Sequence, residues 1–137
     1  MAPSIGFPWT IRNPLEIAVG IENNGAMSVN TVTFGGQPAT KAVNVTTGIT
    51  GFLAVSELWY ILESNLPANG AQQIVINTTG TPSALELNGA AFTLTNAAQT
   101  APSPIATKTQ FNTANIATSI TPTAAKSWLI DAWTGGN

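Results

Sequence analysis

The sequence predicts an all-β fold, an antiparallel β-sandwich or jelly roll of about eight or nine short strands. Three observations carry that expectation. Apolar residues recur with period 2 along most of the chain and nowhere sustain the i, i+3, i+4 spacing of a helix. Clusters of Gly, Pro and Asn separate the apolar runs and supply turn chemistry. Apolar content is ordinary at 44% while only 7% of the 137 residues are charged, a balance that suits a packed core and not a disordered chain.

The elements follow in order. Residues 1–14 contain Pro3, Pro8 and Pro14 and read as a stiffened N-terminal arm, and 15–137 read as one sandwich domain. In 16–22, Ile17, Val19 and Ile21 share one face and Ala18 and Gly20 the other, between Glu16 and Glu22. Asn23, Asn24 and Gly25 then form a turn. In 30–34, Val32 and Phe34 oppose Thr31 and Thr33, and Gly35-Gly36 joins this run to a second strand at 38–46, a hairpin signal. The run 57–63 sets Leu58, Trp59, Tyr60, Ile61 and Leu62 between Glu57 and Glu63. Consecutive bulky residues suit a strand buried on both faces, central in a sheet, with the carboxylates at its ends.

A Pro, Asn and Gly turn follows at 65–70, and 72–79 alternates Ile74 and Ile76 with Val75 and Asn77. Residues 90–96 form a strand with Phe92 and Leu94 inward. Stretch 97–109, with Pro102 and Pro104, is a long connection. Strands at 115–121 and 127–134 complete the set, the latter carrying Trp128, Leu129, Ile130 and Trp133.

The missing residue types exclude chemistry. With no His and no Cys there is no disulfide framework, zinc site, thiolate nucleophile or imidazole base, so neither a metal nor a cofactor is expected. Arg12, Lys41, Lys108 and Lys126 are scattered in a chain of net charge -2, which lacks the basic stripe that nucleic acid requires. The longest apolar stretches, such as 58–62, fall far short of the roughly 20 residues of a membrane span. Residues 1–9 lack the basic and apolar regions of a secretory leader.

Glu57 and Glu63 lie six residues apart in one predicted strand, about 20 Å at roughly 3.3 Å per residue. A glycosidase pair needs about 5 to 10 Å. Glu16, Glu22, Glu86 or Asp131 are open to meeting across strands, but exposed carboxylates ordinarily do nothing catalytic, so the carboxylates read as solvated strand ends and caps, and the chain as no enzyme. A lysine–asparagine crosslink beside a glutamate is open to Lys41, Lys108 or Lys126, and no spacing favours one. The sequons at Asn44 and Asn77 arise readily by chance in a chain this rich in Asn and Thr.

Aromatic residues divide by context. Trp59, Tyr60, Trp128 and Phe92 sit in apolar or alternating runs and are the core candidates. Phe7, Trp9 and Trp133 lie toward the ends and are the interface candidates, since Trp anchors binding hot spots.

The motif TVTFGGQPATKA starting at Thr31, followed by ELWYIL starting at Glu57, resembles a β-sandwich module found in bacteriophage structural proteins and bacterial surface proteins. The shared pattern is a strand, a Gly-Gly turn, a strand and then a VELWYLL-like central strand, over roughly 15–133. The resemblance implies a structural or adhesive role and supplies no catalytic residues. It also implies further strands after the equivalent of 128–133, so a sandwich lacking its closing strands is expected here.

These features point first to a non-enzymatic structural protein of a virion, a capsid decoration or tail- or fibre-associated protein. It would act as a homo-oligomer or on other subunits by burying Trp and apolar strand edges, with the arm docking on a neighbour. Uncharged polar side chains suit such packing, because long charged ones are costly to desolvate and to order. One alternative is a secreted filament subunit or cell-surface adhesin completed by a strand from the next protomer. Another is a carbohydrate-binding module in which exposed Trp rings stack on a glycan.

Overall fold

The computed structural model describes residues 13–24, 27–80, 85–110, 113 and 115–134. It is an all-β antiparallel sandwich of seven strands in two sheets. The strands are β1 (Leu15–Asn23), β2 (Ser28–Phe34), β3 (Gln37–Pro38), β4 (Thr40–Ile49), β5 (Phe52–Ile61), β6 (Ile74–Thr79) and β7 (Leu85–Thr93). One sheet has four strands in the order β4-β5-β1-β7, the other three in the order β3-β2-β6.

The period-2 pattern of β1 decides the layering. Leu15, Ile17, Val19 and Ile21 all point to one face and are buried. In register across β5, Ile17 meets Trp59 and Ile21 meets Val55, so both strands present one apolar surface. Met27, Val29 and Val32 close over that surface from the three-stranded sheet, with Phe34, Ile74 and Ile76 packed at its margin. A bulge between Val29 and Thr31 shifts the alternation by one residue and so keeps both Val29 and Val32 inward. The opposite face of the three-stranded sheet is neutral and polar. There Ser28 and Thr79 share a hydroxyl hydrogen bond of 2.9 Å, and Asn77 donates to Thr31 Oγ1 at 3.0 Å.

The Gly-Gly hairpin is present as expected: Gly35 and Gly36 have φ of 56° and 81°, and Phe34 pairs Gln37 across them. Positive φ at both central residues gives the primed turn whose twist matches the strands. The strand expected at 38–46 is divided in two. After β3 the Ala39 amide donates to the Val32 carbonyl at 2.9 Å, and the chain then leaves the three-stranded sheet to form the edge strand β4 of the other.

Two expected strands are absent. Residues 115–121 contain little apolar surface to bury, with Ile116 mainly exposed, and form no ladder. Residues 127–134 lie across the face of the four-stranded sheet and not along an edge, so their backbone is not offered a strand to pair with. The central strand extends from Phe52 to Ile61 instead of 57–63. This puts Glu57 in its middle, and Glu63 in a 3-10 turn at Glu63–Asn65. Of the turn expected at 23–25, Asn23 is the last residue of β1 and Asn24 follows it, while Gly25 lies outside the described residues, as does the arm at 1–14 apart from Asn13 and Pro14, Phe7 and Trp9 included. Within the described part, the Pro14 carbonyl accepts a hydrogen bond from the Leu94 amide at 3.0 Å.

Candidate functional site: the two faces of the four-stranded sheet

The inner face of this sheet holds a buried charge. Glu57 shares the parity of Val55, Trp59 and Ile61 and points toward the other sheet, with its side chain 2% exposed. One carboxylate oxygen accepts from Lys41 Nζ at 2.8 Å and the other from Trp59 Nε1 at 2.7 Å. Lys41 also lies 4.8 Å from the centroid of the Trp59 ring. Both oxygens are thus satisfied, which makes burial of the ion tolerable. This corrects the expectation that Glu57 is a solvated strand end. Because β5 begins at Phe52, position 57 lies in the middle of the strand and not at its end, on the inward face it shares with Trp59. Among the described residues, Lys41 is the lysine that meets a carboxylate.

The outer face carries a second buried carboxylate with the opposite character. Glu16 pairs Tyr60 on one side and Phe92 on the other and is 3% exposed. Its Oε2 has no hydrogen-bond partner. Burial without compensation pushes the Glu16 carboxyl up to about 7, because loss of water penalises the charged form. Glu16 too was expected to be a solvated strand end. Tyr60 and Phe92, expected in the core, are half-buried on this outer face. The register decides it: β7 pairs Phe92 with Glu16 and turns Ala91 inward beside Ile17.

Further along the same face the side chains become small. Ala18, Gly20, Ser56, Asn88 and Ala90 line a cleft of about 330 Å³ whose other wall is residues 131–133. The segment 128–134 crosses this trough. Ser56 Oγ donates to the Ala132 carbonyl at 2.9 Å, and a Cβ placed on Gly20 would come within 2.7 Å of Thr134 Oγ1 and of Asn88 Oδ1. Glycine at 20 is what lets the segment approach the sheet. Trp128 Nε1 donates to the Thr95 carbonyl at 3.2 Å.

The other side of the segment faces out. Trp128 is 61% exposed, Leu129 68% and Trp133 79%. Trp128 is therefore not a core residue: without a strand at 127–134, only its indole nitrogen is engaged and most of the ring lies over water. Trp59, by contrast, is 5% exposed within the core, and Trp133 is exposed. The trough residues were not singled out from the sequence. The available signal was the small side chains at alternate positions 18, 20 and 90, opposite the face of Ile17 and Val19.

Chemically, the trough offers one hydroxyl, one carboxamide and the exposed carboxylate of Asp131. Among the described residues no three of His, Cys, Asp and Glu come together as metal ligands would. Comparison with protein-family models, curated proteins and solved structures finds no match. The arrangement is suited to contact over area: a shallow trough of small uncharged side chains, on a sheet face that also carries Glu16 and the paired Glu22 and Glu86, and a segment with Trp128, Leu129 and Trp133 exposed.

Proposed function

We propose that this chain is a non-enzymatic structural protein of a virion, of the capsid decoration or tail- or fibre-associated kind, which works by self-association and by packing on neighbouring subunits. The observation that carries the reading is the exposure to water of Trp128, Leu129 and Trp133, three large apolar residues within one short segment of a chain with few charges. Exposed large apolar side chains that gather in one segment suit an interaction site, and Trp is enriched where binding energy concentrates. The scarcity of Lys, Arg, Glu and Asp lowers both the desolvation and the side-chain ordering that association costs. The virion setting draws on the resemblance of the 31–42 and 57–62 motifs to a module found in bacteriophage structural proteins and bacterial surface proteins. Light scattering on the full chain over a dilution series tests self-association. A discrete oligomer is expected, and a monomer at every concentration contradicts the reading. An antibody against the chain that decorates intact particles supports the virion setting, and one that labels only cell surfaces or filaments contradicts it.

A second reading, the secreted filament subunit or adhesin completed by strand exchange, draws support from the sheet edges. β4 and β7 flank the four-stranded sheet, nine or ten residues long each. β4 is guarded by Lys41 and by a bulge between Lys41 and Val43, devices that discourage pairing, which leaves β7 as the more open template. Linear polymers in electron micrographs would favour this reading over a closed oligomer. Exposure of Trp128 and Trp133 also leaves rings for a glycan to stack on, and quenching of their fluorescence by soluble polysaccharides tests the carbohydrate-binding alternative.

A further inference from the structure

We infer that the free edge of β7 receives residues 5–11 of a second copy of this chain as an added antiparallel strand, so that the N-terminal arm of one copy extends the four-stranded sheet of the next. The inference rests on the self-association reading and adds a contact of defined register to the one made by Trp128, Leu129 and Trp133.

The acceptor is an unfinished edge. β7 ends the four-stranded sheet and pairs β1 alone, in one unbroken register from Leu85 to Thr93. Residues 86–90 are all exposed, and the strand has no lysine, proline or bulge of the kind that guards β4. The core is open at this edge too. Leu87 pairs the fully buried Ile21 and shares its inward face, yet is 39% exposed. Beside it Gly89 adds no side chain, since Ile76 Cδ1, itself on a part-exposed residue, lies 2.8 Å from where a Cβ would stand. The Leu94 amide donates to the carbonyl of Pro14 directly opposite, which fixes the alternation. Even-numbered residues of β7 bond β1, and odd-numbered ones such as Leu87, Gly89 and Ala91 turn their N–H and C=O groups to the free edge.

The donor is argued from its sequence. Ile5, Phe7, Trp9 and Ile11 alternate with Gly6, Pro8, Thr10 and Arg12, a strand pattern with one apolar face. Set antiparallel with Ile11 beside Leu87, the two strands are complementary. On the inward side Trp9 comes opposite Gly89 and Phe7 opposite Ala91, and on the outward side Gly6 comes opposite Phe92 and Arg12 opposite Glu86. Large residues thus meet small ones, and the two charges have opposite sign. In this register the odd residues of the arm bond the odd residues of β7, so the missing N–H of Pro8 falls on the new outer edge, where it discourages further pairing. The chain's own arm is badly placed to do this. Pro14 is held to Leu94 on the β1 side of β7, so residues 12–14 would need their full extended length, about 10 Å, merely to cross two strand spacings. The arm would then run parallel to β7, with Arg12 at the end away from Glu86.

Because the chain contains no cysteine, introduced thiols report the contact without interference. In this register Thr10 and Asn88 form a non-hydrogen-bonded pair with Cα atoms about 4.5 Å apart, close enough for a disulfide. Thr10→Cys and Asn88→Cys chains are co-expressed and oxidised, each variant alone serving as control, and the double variant is oxidised in parallel. The inference predicts a disulfide heterodimer well above either control, and disulfide-linked oligomers from the double variant. Closure of the double variant only within one chain, or no disulfide between the two sites, overturns it. If light scattering of the unmodified chain then still shows an oligomer, self-association stands and only this contact falls; if it shows a monomer, both fall. A chain carrying Phe7→Ser and Trp9→Ser gives an independent check that leaves β1 to β7 unaltered. Dissociation at a concentration at least tenfold higher than for the unmodified chain, with the β spectrum kept, supports the added strand, and unchanged association of the folded variant overturns it.

Discussion

The two faces of the four-stranded sheet bury carboxylates to nearly the same extent and treat them in opposite ways. On the inner face Glu57 has Lys41 and Trp59 as donors, one for each oxygen, inside a continuous apolar core. On the outer face Glu16 lies between Tyr60 and Phe92, with one oxygen unpartnered, above a trough of small side chains crossed by a loosely held segment. The inner face is satisfied at its charge: each oxygen of Glu57 has a donor within the chain. The outer face is left open, with a carboxyl that favours its neutral form and an apolar segment turned to water. That difference locates the work of folding on the inner side of the sheet and leaves the outer side as the face on which the proposed association would draw.

The largest effect should come from the inner face. Ile17 is fully buried at the centre of the core, so Ile17→Ala should cost about 3 to 4 kcal/mol through lost transfer energy and the cavity left behind. Denaturant unfolding measures this, and a loss below about 1 kcal/mol would mean that the core is not packed as described. Next in size is Glu57→Ala, which strands the Trp59 N–H and the part-exposed Lys41 ammonium. About 2 kcal/mol of destabilisation is expected.

The outer carboxyl should show itself through pH. The folded Glu16 carboxyl keeps its proton up to about 7, whereas its ordinary value is 4.5. Its stabilising contribution is therefore complete below 4.5 and is lost as pH rises toward 7. Glu16→Gln keeps the shape, removes this loss and should stabilise the fold at pH 8 by on the order of 2 kcal/mol, with no comparable gain at pH 4. Equal effects at both pH values would contradict the burial argument. The smallest effect on unfolding belongs to the exposed segment: Trp133→Ala should change the stability of the dilute chain by less than about 0.5 kcal/mol while weakening association.

Much of this contrast was legible in the sequence, and the part that was not has identifiable physical causes. Alternation in 16–22 and 72–79 gave strands and faces correctly because Ile17, Val19, Ile21, Ile74 and Ile76 all turn into the core between the sheets. Gly35-Gly36 marked its turn because glycine takes the two positive φ values of the primed turn without strain. Glu16 and Glu57 were misplaced because exposure is the ordinary fate of a carboxylate, while their burial depends on partners or aromatic neighbours brought from other strands. Trp128 was misplaced for the converse reason. Its run is as apolar as a strand's, yet hydropathy carries no information about whether a ladder partner exists. The trough escaped notice since small residues announce themselves only through what approaches them, as Thr134 approaches Gly20.

The central claim is the proposal that the exposed side chains of segment 128–134 are a contact between copies. Hydrogen–deuterium exchange of the full chain, followed by peptide-resolved mass spectrometry at dilute and concentrated conditions, tests it most directly. Protection of 128–134 should rise with concentration, while that of β1, already paired on both sides, should not change. Protection in 128–134 that is the same at every concentration, in a sample that demonstrably associates, would place the contact elsewhere and contradict the claim.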